Sequence, residues 1–137
     1  MSLAGVRLIL DTNALLRGLA KPGTSSGKLV TAIATRTLLL LTSRPVIDEY
    51  RTILLDPIIQ KRHRALTPIA VEAVIRSLTY LSERIRVHAR FDFPRDRMDE
   101  KFLALAIEGE ASHLITFDDD LLTLATSHND AAKRLRQ

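Results

Sequence analysis

At 137 residues, with 46% apolar and 26% charged side chains, the chain has the size and mix of one ordinary globular domain and no room for a second. It contains no cysteine, which excludes disulfides, thiolate-bound zinc and cysteine nucleophiles. The net charge of +4 is uneven, because residues 1–91 carry 14 Lys/Arg against 6 Asp/Glu whereas residues 92–137 carry 6 against 10. A basic surface attracts phosphate and clustered acids suit hard cations, although charge alone reads as solvated faces.

Residues 1–7 have no basic segment followed by a long apolar run, so neither a signal peptide nor a transmembrane helix is expected, and the protein is expected in the cytoplasm. Residues 6–10 read as a strand ended by Asp11, and 14–20 as a helical turn before a loop at 21–26. A helix is expected over 27–36, with Leu29, Val30 and Ile33 on one face, and then an apolar strand at 37–42 of the kind covered on both sides. Ser43 caps a further helix, with Pro45 in its first turn, that runs to Leu55. Residues 58–66 read as one helical piece bearing Lys61, Arg62, His63 and Arg64. Thr67-Pro68 opens a long helix to Arg84, a third strand is expected at 85–88, and 89–98 is a charged loop. Asp99 opens a helix through Glu108 that stops at Gly109, and 113–116 is the fourth strand, followed by a helical stretch at 121–126. Strands alternating with helices indicate an α/β fold with a mostly parallel sheet.

In such sheets ligands bind at the carboxyl ends of the strands. Asp11 follows the first strand and Asp118 the fourth; taken singly, each has the ordinary reading of a turn or cap residue. Asp99 has Phe102, Leu103 and Ala106 at offsets of three, four and seven, and Glu49 has Val46 and Ile53 at minus three and plus four. Both acids therefore lie on the apolar face of a helix rather than the wet one, although taken singly Asp99 also reads as a helix-start acid favoured by the dipole and Glu49 as an exposed edge residue. Four carboxylates in one pocket repel one another and favour cations. With no cysteine and no metal-ligand spacing among His63, His88, His113 and His128, the donor set suits Mg²⁺ or Mn²⁺.

Four stretches carry a resemblance. They are Leu8-Ile9-Leu10-Asp11-Thr12-Asn13, Val46-Ile47-Asp48-Glu49-Tyr50, the run from Arg95-Asp96-Arg97-Met98-Asp99 to Ala106, and Leu114-Ile115-Thr116-Phe117-Asp118-Asp119-Asp120-Leu121-Leu122. In this order and spacing the chain resembles the PIN domain, in particular the VapC-like toxin components of toxin–antitoxin pairs, over about residues 6–124. The resemblance implies one domain folded as a three-layer α/β/α sandwich with strand order 3-2-1-4, often with a fifth edge strand. It implies a metal-dependent endoribonuclease with Asp11, Glu49, Asp99 and Asp118 as catalytic and metal-binding acids and Asp120 as an accessory ligand. Thr12, Asn13 and Thr116 would position the ligands. Candidates for holding RNA are Arg17, Lys21, Lys61, Arg62 and Arg64, and the implied partners are a cognate antitoxin and a second copy of the chain. The family's further strand and Pro-containing tail have no counterpart in the polar run 125–137, so a fifth strand is expected to be absent or very short.

A phosphatase of the haloacid dehalogenase type also places an Asp after its first strand, but wants a second acid two residues on, where this chain has Asn13. A non-catalytic PIN-fold domain that binds RNA or a partner is the alternative from another class. The helix from Thr67 carries more apolar surface than one buried stripe requires, which leaves two readings: a homodimer through this helix that can extend to Ile53, Leu54, Ile58 and Ile59, or a helix sandwiched between the sheet and residues 58–66.

Overall fold

The computed structural model describes residues 5–88 and 97–116, apart from the side chains of 97–99. Four strands form one sheet: β1 (Arg7–Leu10), β2 (Leu39–Thr42), β3 (Glu83–Arg84) and β4 (His113–Ile115), in the order β3-β2-β1-β4. Every pairing is parallel. The helices are α1 (Thr12–Ala20), α2 (Ser25–Ala34), α3 (Arg44–Leu54), α4 (Pro57–Arg62), α5 (Pro68–Leu81) and α6 (Arg97–Glu108). The expected α/β/α sandwich is therefore the observed architecture, and its sheet is parallel throughout the described residues. The polar run 125–137, where a fifth strand is expected to be absent or very short, and the helical stretch at 121–126 lie outside them.

The two central strands explain the core. Leu8, Ile9 and Leu10 of β1 and Leu40 and Leu41 of β2 are all buried, whichever way they point, because the sheet is covered on both faces. Val46, Tyr50 and Leu54 of α3, Val71, Ile75 and Leu78 of α5, and Phe102, Leu103, Leu105 and Ala106 of α6 pack into the same cluster, and Ala104 is buried as well. Five consecutive buried residues in α6 mean that this helix is enclosed on more than the single face its spacing indicates.

Helix starts follow their caps. Asp11 accepts from the Ala14 N–H, which brings α1 forward to Thr12 from the expected 14. Thr24 does the same for Gly27, so α2 begins at Ser25 rather than at 27. Ser43 caps α3 through Val46, with Pro45 in the first turn as read from the sequence. Asp56 and Thr67 cap α4 and α5.

The third strand is corrected. It comprises Glu83–Arg84 rather than 85–88, and α5 stops at Leu81, three residues short of Arg84. Ser82 turns extended, with ψ 158°, and its hydroxyl meets that of Thr42 at 2.8 Å, which sets Glu83 opposite Leu41. The Ile85 N–H still reaches the Thr42 carbonyl at 2.7 Å, but β2 ends there, so 86–88 have no strand beside them among the described residues. Gly109 does end α6, though not by adopting a left-handed conformation. That conformation belongs to Glu110, at φ 52°, while a Cβ on Gly109 would lie 3.1 Å from Leu41 Cδ1 and from Ile85 Cγ1. Gly109 is thus a packing requirement between α6 and the sheet. Arg7 holds the same corner, donating from Nε and Nη2 to the Gly109 carbonyl and pairing with Glu83 at 2.9 Å.

On α5, Val71, Ile75 and Leu78 are buried, whereas Ile69 is 85% and Tyr80 77% exposed, with Ile58 of α4 at 62%. Leu54, one of the residues assigned to a dimer contact, is wholly buried, so it belongs to the core. Among the described residues no helix is long and apolar enough to cross a membrane.

The tightest approach in the fold is at Gly27, where a Cβ would stand 2.1 Å from the Pro22 carbonyl oxygen. Gly27→Ala is expected to force the loop off the α2 start and to destabilise the protein by about 2–3 kcal/mol. The shift of the urea midpoint at unchanged m-value measures it.

Candidate functional site

The chain leaves β1 towards β2 and returns through β4 on the other side of β1, so the two neighbours β1 and β4 flank a topological switch point. Crevices outside the carboxyl ends of strands open at such points. Asp11 is the first residue beyond β1 and stands at that switch point. Its N–H donates to the Ile115 carbonyl at 2.9 Å, the last bond of the β1–β4 ladder. Oδ1 accepts from the Ala14 N–H at 2.7 Å, and Oδ2 accepts a short hydrogen bond from the Thr116 hydroxyl. The carboxylate is 3% exposed and fixed from two sides.

Glu49 lies on α3. Its residue is 7% exposed, with Val46 and Tyr50 buried beside it and Asp48 exposed, which is the helical face read from the sequence. Tyr50 pins that helix to the end of β1, its hydroxyl donating to the Leu10 carbonyl at 2.5 Å. Burial, and to a lesser degree the charge of Asp11, push the phenol well above its usual pKa, so Tyr50 remains a neutral donor. From α6, the Lys101 ammonium lies 3.2 Å from Glu49 Oε1. The pair joins a buried acid to a cation one-third exposed, which offsets the desolvation of the carboxylate.

The other residues singled out from the sequence are placed as follows. Asp99 lies in the first turn of α6, the helix that supplies Lys101, and its side chain is outside the description. Asp118 and Asp120 lie outside the described residues altogether. Thr116 bonds Asp11, whereas the buried Thr12 hydroxyl has no hydrogen-bond partner among the described residues and Asn13 is exposed. The described residues contain no cluster of three or more acids or histidines able to hold a metal. What they provide is two buried carboxylates, Asp11 and Glu49, all-oxygen donors of the kind that fit a hard divalent cation. Arg17 and Lys21 flank the end of α1, and Lys61 and Arg62 occupy α4.

Lys101 and Tyr50 carry no role in the reading of the sequence. Tyr50 was within reach, since Val46, Tyr50 and Leu54 recur at every fourth position. Lys101 was less so, because a lysine at the edge of an apolar run ordinarily points to water.

The sequence profile of the PIN domain matches residues 7–120. An uncharacterized protein of Methanocaldococcus jannaschii is 27% identical over 123 residues, covering 87% of this chain and 75% of its own length. No solved structure gives a significant match.

Lys101→Met would leave the Glu49 carboxylate buried without its cation, and a loss of about 1–3 kcal/mol is expected in urea unfolding. Glu49→Gln in the same chain should recover part of that loss. A double-mutant cycle that returns a coupling energy near zero would show that the pair does not hold α3 to α6.

Proposed function

This chain belongs to the PIN-domain family, whose members are generally nucleases, and we propose that it is a divalent-metal-dependent endoribonuclease, the toxin of a toxin–antitoxin pair. The observation that carries the reading is the Asp11 carboxylate, buried at the switch point and fixed by the Ala14 N–H and the Thr116 hydroxyl. Asp11, Glu49, Asp99 and Asp118 would hold Mg²⁺ or Mn²⁺, with Asp120 an accessory ligand. Such an ion lowers the pKa of bound water and neutralises phosphate charge.

The chain's own residues do the positioning. The Thr116 hydroxyl and the first turn of α1 fix the direction in which Asp11 presents its oxygens. Tyr50 keeps Glu49 and α3 in place against the end of β1, and Lys101 holds the Glu49 carboxylate from α6. The preference for RNA over DNA and the toxin role rest on the resemblance of the motif stretches, and an antitoxin protein would be the partner. The reading also takes the protein as a homodimer through the exposed Ile58, Ile69 and Tyr80. Light scattering should then give twice the 15.3 kDa of one chain, and a constant single-chain mass across a concentration series removes the dimer.

A second reading, a PIN-fold domain that binds RNA or a partner without cutting, is favoured by one observation, the Lys101 ammonium already seated on Glu49. One experiment separates the two. Purified protein is expected to cleave single-stranded RNA with millimolar Mg²⁺ or Mn²⁺, to stop on chelation, and to lose at least about a hundredfold in rate as Asp11→Asn. The asparagine retains an acceptor for the Ala14 N–H, so the variant should melt within a few degrees of the wild type. Divalent ions should raise the melting temperature of the wild type and raise that of the variant less. Cleavage by Asp11→Asn at the wild-type rate would take Asp11 out of the site, and intact RNA with wild-type protein and metal would leave the non-catalytic reading.

A further inference from the structure

Two strands away from Asp11, on the same rim of the sheet, lies a groove of about 560 Å³ lined by Arg44, Pro45, Arg84, Ile85, Arg86 and Val87. We propose that this groove is a backbone subsite that holds two neighbouring phosphates of single-stranded RNA, beginning a nucleotide or two from the bond being cut. The proposal rests on the ribonuclease reading for its substrate, but on separate residues for its geometry.

The first argument is charge. Arg7 pairs with Glu83, and Arg51 pairs with Asp48 and Glu72. Arg44, Arg84 and Arg86, by contrast, have no carboxylate partner among the described residues, and all three are exposed. Three uncompensated guanidinium groups around one concavity attract an anion with more than one oxygen to share, which describes a phosphodiester. Arg44 is also the first residue of the eleven-residue α3, whose positive end faces the rim.

The second argument is spacing. From Arg84 to Val87 exposure alternates, the arginines outward and Ile85 and Val87 half-buried, as in an extended backbone. The Ile85 N–H bond to Thr42 holds this segment to the sheet. Arg84 and Arg86 therefore project from the same side about 7 Å apart, a separation similar to that of neighbouring phosphates on an extended nucleotide chain.

The third argument is register. The pairings Leu10↔Ile115, Leu8↔Leu40 and Thr42↔Arg84, carried to the rim, bring Thr116, Asp11, Ser43 and Ile85 into one row. With strands about 4.8 Å apart, Ile85 is about 10 Å from Asp11. A strand of RNA with one phosphate at Asp11 then passes over the arginines with two following ones. Pro45, Ile85 and Val87 are the apolar residues of the groove's lining, and no aromatic side chain lines it among the described residues, so it has no platform for stacking a base. The groove therefore adds affinity without sequence choice. Lys61 and Arg62, by comparison, are on α4, which packs at the far end of α3, about 16 Å of helix from the rim.

The test measures binding of a labelled single-stranded RNA oligonucleotide in chelator across a salt series, followed by addition of Mg²⁺. The triple variant Arg44→Ala, Arg84→Ala, Arg86→Ala is expected to bind at least about tenfold more weakly, with the slope of log K against log salt shallower by about 1.4, the loss of two phosphate contacts on a single strand. Replacing the same three residues by Lys should retain the slope, and Lys61→Ala, Arg62→Ala, Arg64→Ala should leave it unchanged. An unaltered slope in the Arg→Ala variant, or equal loss in the Lys variant at wild-type melting temperature, overturns the subsite. So does displacement of the RNA by inorganic phosphate beyond the effect of chloride at equal ionic strength, which would make it a site for the free anion. If wild-type protein binds RNA with the steeper slope but releases no fragments with Mg²⁺, the nuclease reading fails and the subsite stands.

Discussion

A single residue, Asp11, makes β1, α1 and β4 meet. Asp11 continues the ladder to β4 through its N–H, starts α1 through one oxygen and receives Thr116 through the other. Each contact satisfies a group that would otherwise be left unpaired in a place with little access to water. A buried acid at 3% exposure persists because its oxygens are occupied by donors, and those donors also fix its direction. Tyr50 completes the junction by capping the Leu10 carbonyl one residue earlier, so β1, β4, α1 and α3 share two adjacent residues. Any rearrangement of the site is therefore a rearrangement of the sheet.

Much of this frame was legible in the sequence because the signals were local. Ser43 followed by Pro45 marks a helix start in any context, and the apolar runs around Leu10 and Leu40 admit only strands covered on both faces. The face of Glu49 was legible for the same reason, since Val46 and Ile53 flank it at helical spacing. Where the reading failed, a distant partner decided the matter. The stretch Ile85-Arg86-Val87-His88 alternates like a strand, yet β2 ends at Thr42 and offers nothing to pair with beyond Ile85. Gly109 looked like a stop by conformation and is a stop by contact, with Leu41 and Ile85 pressing on the place its Cβ would take. Neither contact is visible within a few residues of the glycine.

The distribution of charge shows the same division. The sequence marks the run Lys61-Arg62-His63-Arg64 as the densest basic stretch, but density along a chain is not proximity in a fold. Arg44 and Arg84 are forty residues apart in sequence and are brought into one groove by the β2–β3 pairing. The acids behave likewise: Glu49 finds its cation not within its own helix but on α6 at Lys101. The pairing of opposite charges across elements, more than the net charge of either half of the chain, shapes the field at the rim.

The pairing of β1 with β4 also has a consequence in time. The Arg7 N–H donates to the Ser112 hydroxyl across 105 residues, and Asp11 waits on Thr116 across the same separation. Closing so long a loop is entropically unfavourable before its contacts form, and pairing at that range is slow. During synthesis, β1, β2 and the helices between them can associate while β4 has yet to be made. The buried acid at the switch point is thus the last part of the rim to be completed. Until the ribosome has released residues 112–116, the nascent chain holds Asp11 at an open edge without the Thr116 hydroxyl, and this junction exists only once all four described strands do.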